Sequence, residues 1–377
     1  MGRFDIFLRL HSATTKSTSV GVKASPEFHF LVECCRGAFE PGRRPKATAL
    51  EWPRFLRLVR FHRVQGLVWN ALRNLGNDIP QNVRDEMTAD ATAIVASNLQ
   101  LAAECQRLKT AFGDHGIAVL FVKGLTLATL AYGTISTKAG VDIDLLVDPE
   151  QLGETAALLQ AHGYRLTEPP GPAALPKLAK WHQIRKESTW IQAQKGFQVD
   201  LHTSLADNPA LIPTIGLNSP TQMVEISPGI SLPTLADDEL FAYLAVHGAS
   251  SAWFRLKWIT DFAALIAGKS PAELYRLYER SQQLGAGRAP AQALLLADML
   301  YGSLDGAEAL KARLESDRRA RWLASIALRQ VAGKAEPVEP TSRPLGTAAI
   351  HYSQLLMLPG LGFKLSETMR QARAVFA

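Results

Sequence analysis

Between Gly140 and Asp148 the chain reads Gly-Val-Asp-Ile-Asp-Leu-Leu-Val-Asp. Val141, Ile143, Leu145 and Val147 alternate with Asp142 and Asp144, the two-residue period of a strand with one face in a core. Both carboxylates then project together from the opposite face. Asp is depleted in strands, and two neighbouring carboxylates raise each other's proton affinity unless a cation lies between them. A hard divalent ion such as Mg²⁺ suits the pair, because it takes oxygen ligands and keeps positions free for a polyphosphate. The plainer reading is two solvated Asp residues on a sheet edge, so the metal assignment needs partners elsewhere in the chain.

The rest of the chain narrows the classes. Its 377 residues can bury two or three cores, and 47% apolar with 20% charged residues is ordinary for a globular protein. Three Cys, two of them adjacent (Cys34 and Cys35), give neither a disulfide framework nor metal-ligand spacing, so a reducing cytoplasm is expected. No apolar run reaches the length of a transmembrane helix, and Arg3, Asp5 and Arg9 interrupt any signal-like start. A net charge of +6 suits an anionic substrate but gives no strong nucleic-acid signal.

In chain order, residues 1–24 lack periodicity and are expected to be poorly ordered. Helices are expected from Ser25-Pro26 and from about Pro53; the second carries Arg54, Arg57, Arg60 and Arg63, read as a solvated basic face rather than an anion site. Residues 80–115 carry the longest helical pattern, with a stripe that thins at Asn98, where a break or bend is possible. Ile117–Val122 is a continuous apolar run, expected to be a central strand buried on both faces. It ends in Lys123-Gly124 before another helical stretch, an arrangement that offers backbone N–H groups and a positive charge to an anion. The same Gly also reads as a simple turn. Asp148-Pro149-Glu150-Gln151 has the order of an N-cap, a Pro at the first helical position and a capping box, so Asp148 is a cap and not a third ligand.

Residues 165–188 and 209–233 read as loops. Between them, Thr189–Gln194 and Phe197–His202 flank Lys195-Gly196 as a hairpin, and the alternation of its second strand turns Asp200 and His202 away from Phe197, Val199 and Leu201. Asp200 is thereby a candidate third ligand or general base, or else a surface residue of an edge hairpin. From Asp237 the pattern is helical, with His247 on an apolar stripe. In the helix after Trp253, Lys257 and Asp261 stand four apart, where they can pair, while Arg255 points elsewhere. Further helices are expected over 271–285, 289–302 and 306–333, and an amphipathic piece from Leu355 with a break at Pro359-Gly360.

Taken together, Val122-Lys123-Gly124, Tyr132, Asp142-Ile143-Asp144-Leu145-Leu146-Val147, Val199-Asp200-Leu201-His202, His247-Gly248 and Arg255–Asp261 occur in an order that resembles the DNA polymerase β-type nucleotidyltransferase superfamily. Within it, the chain looks like the uncharacterised nucleotidyltransferase family, over roughly residues 50–270. The resemblance implies an α+β fold, a small mixed sheet with flanking helices and a C-terminal helical domain. It also implies catalytic and metal-binding roles for Asp142, Asp144 and Asp200, with Mg²⁺ or Mn²⁺ as cofactor and an NTP as substrate. Lys123, Gly124, Lys138, His202, Arg255 and Lys257 are then candidates for nucleotide contact, with Tyr132, His247 and Asp261 in support. Two departures stand out: Lys-Gly replaces the superfamily's Gly-Ser after the first strand, and Lys138 stands where the family usually has Arg, losing bidentate geometry.

The organisation expected is a poorly ordered segment over 1–24, a helical region over 25–95, the nucleotidyltransferase core over 96–208, a helical domain over 209–336, and a linker with a terminal amphipathic segment over 337–377. The function expected is metal-dependent transfer of an NMP from an NTP to a hydroxyl acceptor, with release of pyrophosphate. A catalytically degenerate protein that binds nucleotide or a partner is the alternative. A nucleic-acid polymerase is disfavoured by the mild charge. The acceptor, whether small molecule, sugar, peptide or protein, is not specified by the sequence.

Overall fold

The computed structural model describes residues 24–375 apart from 41, 43, 47–49, 74, 76–77, 172–173, 334–336 and 343. The segment expected to be poorly ordered, 1–24, lies outside the described residues except for its last position. The chain opens with three helices, α1 (Pro26–Arg36), α2 (Trp52–His62) and α3 (Gln65–Leu72). Ser25 caps α1 by accepting from the Phe28 N–H at 3.2 Å, with Pro26 at the first helical position. The arginines of α2 are engaged structurally: Arg60 pairs with Glu86 at 2.9 Å and Asp90 at 3.0 Å, and Arg54 lies 3.3 Å from Glu27.

Next comes α4 (Gln81–Asp114), which runs through Asn98 without a break. The polar residue that thins its stripe is fully buried and serves the loop before the Asp-rich strand. Its Nδ2 donates to the carbonyls of Ile135 (2.5 Å) and Lys138 (2.7 Å), and its Oδ1 accepts from the Gly140 N–H at 3.0 Å. Gly140 is required there, since a Cβ would lie 2.7 Å from both Asn98 Oδ1 and Leu101 Cδ2.

The core unit follows as β1 (Leu120–Phe121), α5 (Leu125–Tyr132), β2 (Asp142–Leu146), α6 (Leu152–Ala161), β3 (Tyr164–Glu168), α7 (Leu175–His182), β4 (Glu187–Gln192) and β5 (Gln198–His202). The five strands form one mixed sheet in the order β1-β2-β5-β4-β3, with β2 and β5 parallel and the other neighbours antiparallel. Two expectations change. The apolar run before Lys123 is a two-residue edge strand and not a central one. Its burial comes from helices and from a second hairpin, β6 (Thr221–Ser227) with β7 (Ile230–Leu235), whose β7 packs on β1. Conversely, the strand carrying Asp200 is the middle strand of the sheet. The regions read as loops contain β3, α7, β6 and β7.

Asp148 behaves as a cap: its Oδ1 accepts from the Glu150 N–H at 2.8 Å and starts a short 3₁₀ turn that leads into α6. The capping box does not form, because the Gln151 side chain turns toward the Gly116 carbonyl. Val141 precedes the strand and is exposed.

The remaining helices are α8 (Asp237–Ser250), α9 (Leu256–Ile266), α10 (Pro271–Gln283), α11 (Ala289–Tyr301), α12 (Glu308–Ser316), α13 (Arg318–Ala332), α14 (Ala348–Leu355) and α15 (Leu361–Val375). The single helix expected over 306–333 is divided at Asp317, whose carboxylate accepts from the Arg319 and Ala320 N–H groups and caps α13. No helix among the described residues is long and apolar enough to cross a membrane.

Two apolar cores result. Ile143, Leu145, Val199, Leu201 and Trp190 fill one face of the sheet against Leu101, Leu108 and Phe112 of α4 and Leu152 and Leu159 of α6. The larger core joins α1–α3 to α8, α9, α11 and α13, and takes in Val122, Leu127 and Leu146 from the sheet region. The period of two in β2 and β5 therefore sends the apolar residues to one side and the carboxylates to the other.

Candidate active site

The parallel pairing of β2 and β5 sets Asp144 directly opposite Asp200, and Asp142 opposite Gln198. Each of Asp142, Asp144 and Asp200 offers a carboxylate oxygen, and the three oxygens lie within 4.8 Å of one another. Asp144 and Asp200 are buried, while Asp142 is partly exposed.

Three carboxylates so close should not all ionise without help, and the structure shows how the load is divided. Burial alone would raise the Asp144 pKa, but Lys123 and His202 outweigh it and hold that carboxyl far below the ordinary range. The Lys123 ammonium stands 2.5 Å from Asp144 Oδ1. It is brought there by the β1–β2 pairing, in which the Val122 N–H donates to the Asp144 carbonyl at 3.2 Å. Lys123 itself stays charged: burial opposes the ammonium, but Asp144 and Asp142 raise its pKa well above normal. Asp200 shows the opposite balance. Burial and the negative charges of Asp144, Asp142 and Glu187 push its pKa up to about 6, against a hydrogen bond from Gln198. Its Oδ1 accepts from the Thr189 hydroxyl at 2.9 Å and from Gln198 Nε2 at 3.1 Å.

Gly124 begins α5 with φ +71°. That positive φ is what favours Gly at this position, since a Cβ there would make only ordinary contact with the Asp142 carbonyl at 3.5 Å.

A second polar group forms around Asp261 on α9. Its Oδ1 accepts from the Tyr132 hydroxyl at 2.9 Å, and its Oδ2 lies 3.6 Å from Lys138 Nζ. Asp261 was expected to pair with Lys257; it pairs instead with Lys138, which the Asn98-anchored loop delivers. Lys257 has no ion-pair partner within hydrogen-bonding reach among the described residues. Burial, with the nearby charges of Lys138 and Lys123, brings its pKa down to about 7, against the pull of Asp142 and Asp261.

Two expected nucleotide contacts are placed differently. Arg255 precedes α9: its guanidinium donates to the Phe61 carbonyl and to Glu339, and packs over the Phe61 and Phe254 rings at 5.1 and 5.2 Å. It joins α2 to the connecting segment at Glu339, and none of its contacts is with the acidic cluster. His202 is fully buried, with Nε2 3.1 Å from Asp144 Oδ1 and 3.3 Å from Glu187 Oε2, so it supports the carboxylates from within the fold. His247 lies between the Tyr243 and Trp258 rings, each centroid 5.8 Å away. Burial and the charges of Lys123 and Lys186 keep its pKa well below that of a free imidazole.

Glu187, Lys186, Thr189, Gln198 and Tyr243 also surround the site and were not expected from the sequence. Glu187 and Thr189 share a face at a period of two, opposite His202 and Asp200 in register. Beginning the strand at Glu187 instead of Thr189 would have revealed them.

The residues fit a divalent cation. All three clustered donors are carboxylates, the ligands that hard cations take, and Asp144 Oδ2 is buried with no hydrogen-bond partner although Oδ1 is satisfied. The α+β fold thus carries clustered acids on adjoining strands, flanked by lysines. Comparison with known proteins agrees. The profile of the uncharacterised nucleotidyltransferase family matches residues 48–302, well over half of the chain, and the protein belongs to that family. Among curated proteins no sequence matches it significantly. Family membership makes nucleotidyl transfer the activity class and a nucleotide the substrate.

Proposed function

We propose that the protein transfers a nucleoside monophosphate from an NTP to a hydroxyl acceptor and releases pyrophosphate, with a divalent cation at Asp142, Asp144 and Asp200. The observation that carries this reading is the meeting of those three carboxylates within 4.8 Å, with one buried oxygen left without a partner. Mg²⁺ or Mn²⁺ bound there would supply charge neutralisation for the polyphosphate and polarisation of the reacting oxygens.

The chain's own residues account for the remaining needs. Lys123 lies beside Asp144 and Lys138 beside Asp261, and Lys257, without an ion-pair partner among the described residues and partly exposed, is the lysine freest to meet a phosphate. Asp200, beside Asp144 on the middle strand, is placed to accept the proton of an attacking hydroxyl. Thr189 and Gln198 hold the orientation of that carboxylate. Gly124 supplies the positive φ that turns the chain from β1 into α5 beside the site.

Pyrophosphate release, assayed with each NTP and a panel of hydroxyl acceptors, tests the reading. The expected result is cation-dependent release that falls at least about a thousandfold in Asp142→Asn, as loss of a metal-binding carboxylate removes several kcal/mol of electrostatic stabilisation. Equal turnover by wild type and Asp142→Asn would refute it.

A further inference from the structure

We propose that Glu187 is a positioning residue for Asp144, acting through the His202 imidazole; the proposal rests on the cation-binding reading above. Glu187 pairs with His202 in the β4–β5 register, which places both on the polar face of the sheet. His202 Nε2 lies 3.1 Å from Asp144 Oδ1 and 3.3 Å from Glu187 Oε2. Carboxylates accept and do not donate, so the hydrogen must be on Nε2; it is given to Asp144, and the Glu187 carboxylate stands beside it as an electrostatic partner. The other ring nitrogen, Nδ1, is buried without a partner among the described residues. The hydrogen bond to Asp144 and the adjacent charge of Glu187 are therefore what the polar edge of the ring meets.

The consequence falls on Asp144. His202 and Lys123 both engage its Oδ1, and Oδ2 is left buried and free. A carboxylate held by one oxygen presents the other in a fixed direction, which is what a ligand to a hard cation needs. Glu187 stands outside the group of three clustered acids, and Lys186 pairs with it. Burial would raise its pKa, but Lys186 and His202 hold it at about 2, so it stays an acceptor. Its part is to hold the ring, not the ion.

Mn²⁺ titration of the nucleotide-free, full-length protein, followed by the electron paramagnetic resonance signal of free Mn²⁺, tests this without reference to turnover. Glu187→Ala and His202→Ala should each weaken Mn²⁺ binding about tenfold, the scale usual for groups that orient metal ligands. The double variant should bind no more weakly than the weaker single one, because both changes break the same chain. Glu187→Gln, near-isosteric and keeping an oxygen beside Nε2, should keep most of the affinity. Wild-type affinity in Glu187→Ala, losses that multiply in the double variant, or a Gln variant as weak as the Ala variant would each overturn the proposal. Wild-type affinity in Asp144→Asn would overturn the metal reading, and this proposal with it.

Discussion

Asp200 is the residue at which the site's electrostatics can be read most directly. Its carboxyl has an ordinary pKa of 3.8 in an unfolded chain and about 6 in the fold, raised by burial and then by Asp144, Asp142 and Glu187. Below the lower value both states are protonated and the residue has no effect on stability. Between the two values the unfolded chain ionises first, so stability falls as pH rises, and the loss is complete above the folded value. Asp200→Asn cannot ionise and keeps an acceptor for Thr189. It should raise the metal-free unfolding free energy by about 1–3 kcal/mol at about pH 7.5 and leave it nearly unchanged at about pH 3.5, as urea unfolding at the two pH values would show. Lys257 gives the complementary prediction. With its pKa near 7, it loses charge as pH rises through neutrality, so NTP affinity should decline over that range. Lys257→Met should raise the KM for NTP about tenfold, one phosphate contact's worth of charge-assisted bonding, and should flatten that pH dependence in equilibrium binding.

At the scale of elements, the acidic strand depends on a helix residue forty positions earlier. Asn98 bonds to the Ile135 and Lys138 carbonyls and the Gly140 N–H, so it fixes the loop that delivers both Lys138 and Asp142. Asn98→Ala should cost about 2–3 kcal/mol in chemical unfolding, from buried backbone groups left unsatisfied, and should lower activity in the residual folded protein. The sequence shows Asn98 only as a gap in an apolar stripe; its partners are set by tertiary packing. The same limit applies to the strands. β2 and β5 were legible because polar and apolar residues alternate over Asp142–Leu145 and Gln198–His202. β6 and β7 were not, because Pro233 lies inside β7 opposite Met223 and demotes the pattern. A two-stranded hairpin has only edge strands, so Pro is tolerated there. β3 alternates weakly because much of it is exposed at the sheet edge.

Over the whole molecule, the site lies where the polar face of the sheet meets α8 and α9. Tyr243 and His247 of α8 lie within electrostatic reach of Lys123 and Asp144, and Asp261 of α9 holds Tyr132 and Lys138. Local patterns supplied the carboxylates, but not the fact that Asp144 and Asp200 stand side by side, since that follows from the parallel β2–β5 register. The helical spacing did turn Arg255 away from Lys257 and Asp261, and Arg255 indeed joins α2 to the segment at Glu339; only the family resemblance had grouped it with Lys257. The central claim is that Asp142, Asp144 and Asp200 together hold the cation that receives the nucleotide. A crystal structure with Mn²⁺ and a non-hydrolysable NTP, with the metal located by anomalous scattering, tests it most directly. The account predicts an anomalous peak bound by all three carboxylates and by phosphate oxygens; nucleotide bound with no metal among these three residues would contradict it.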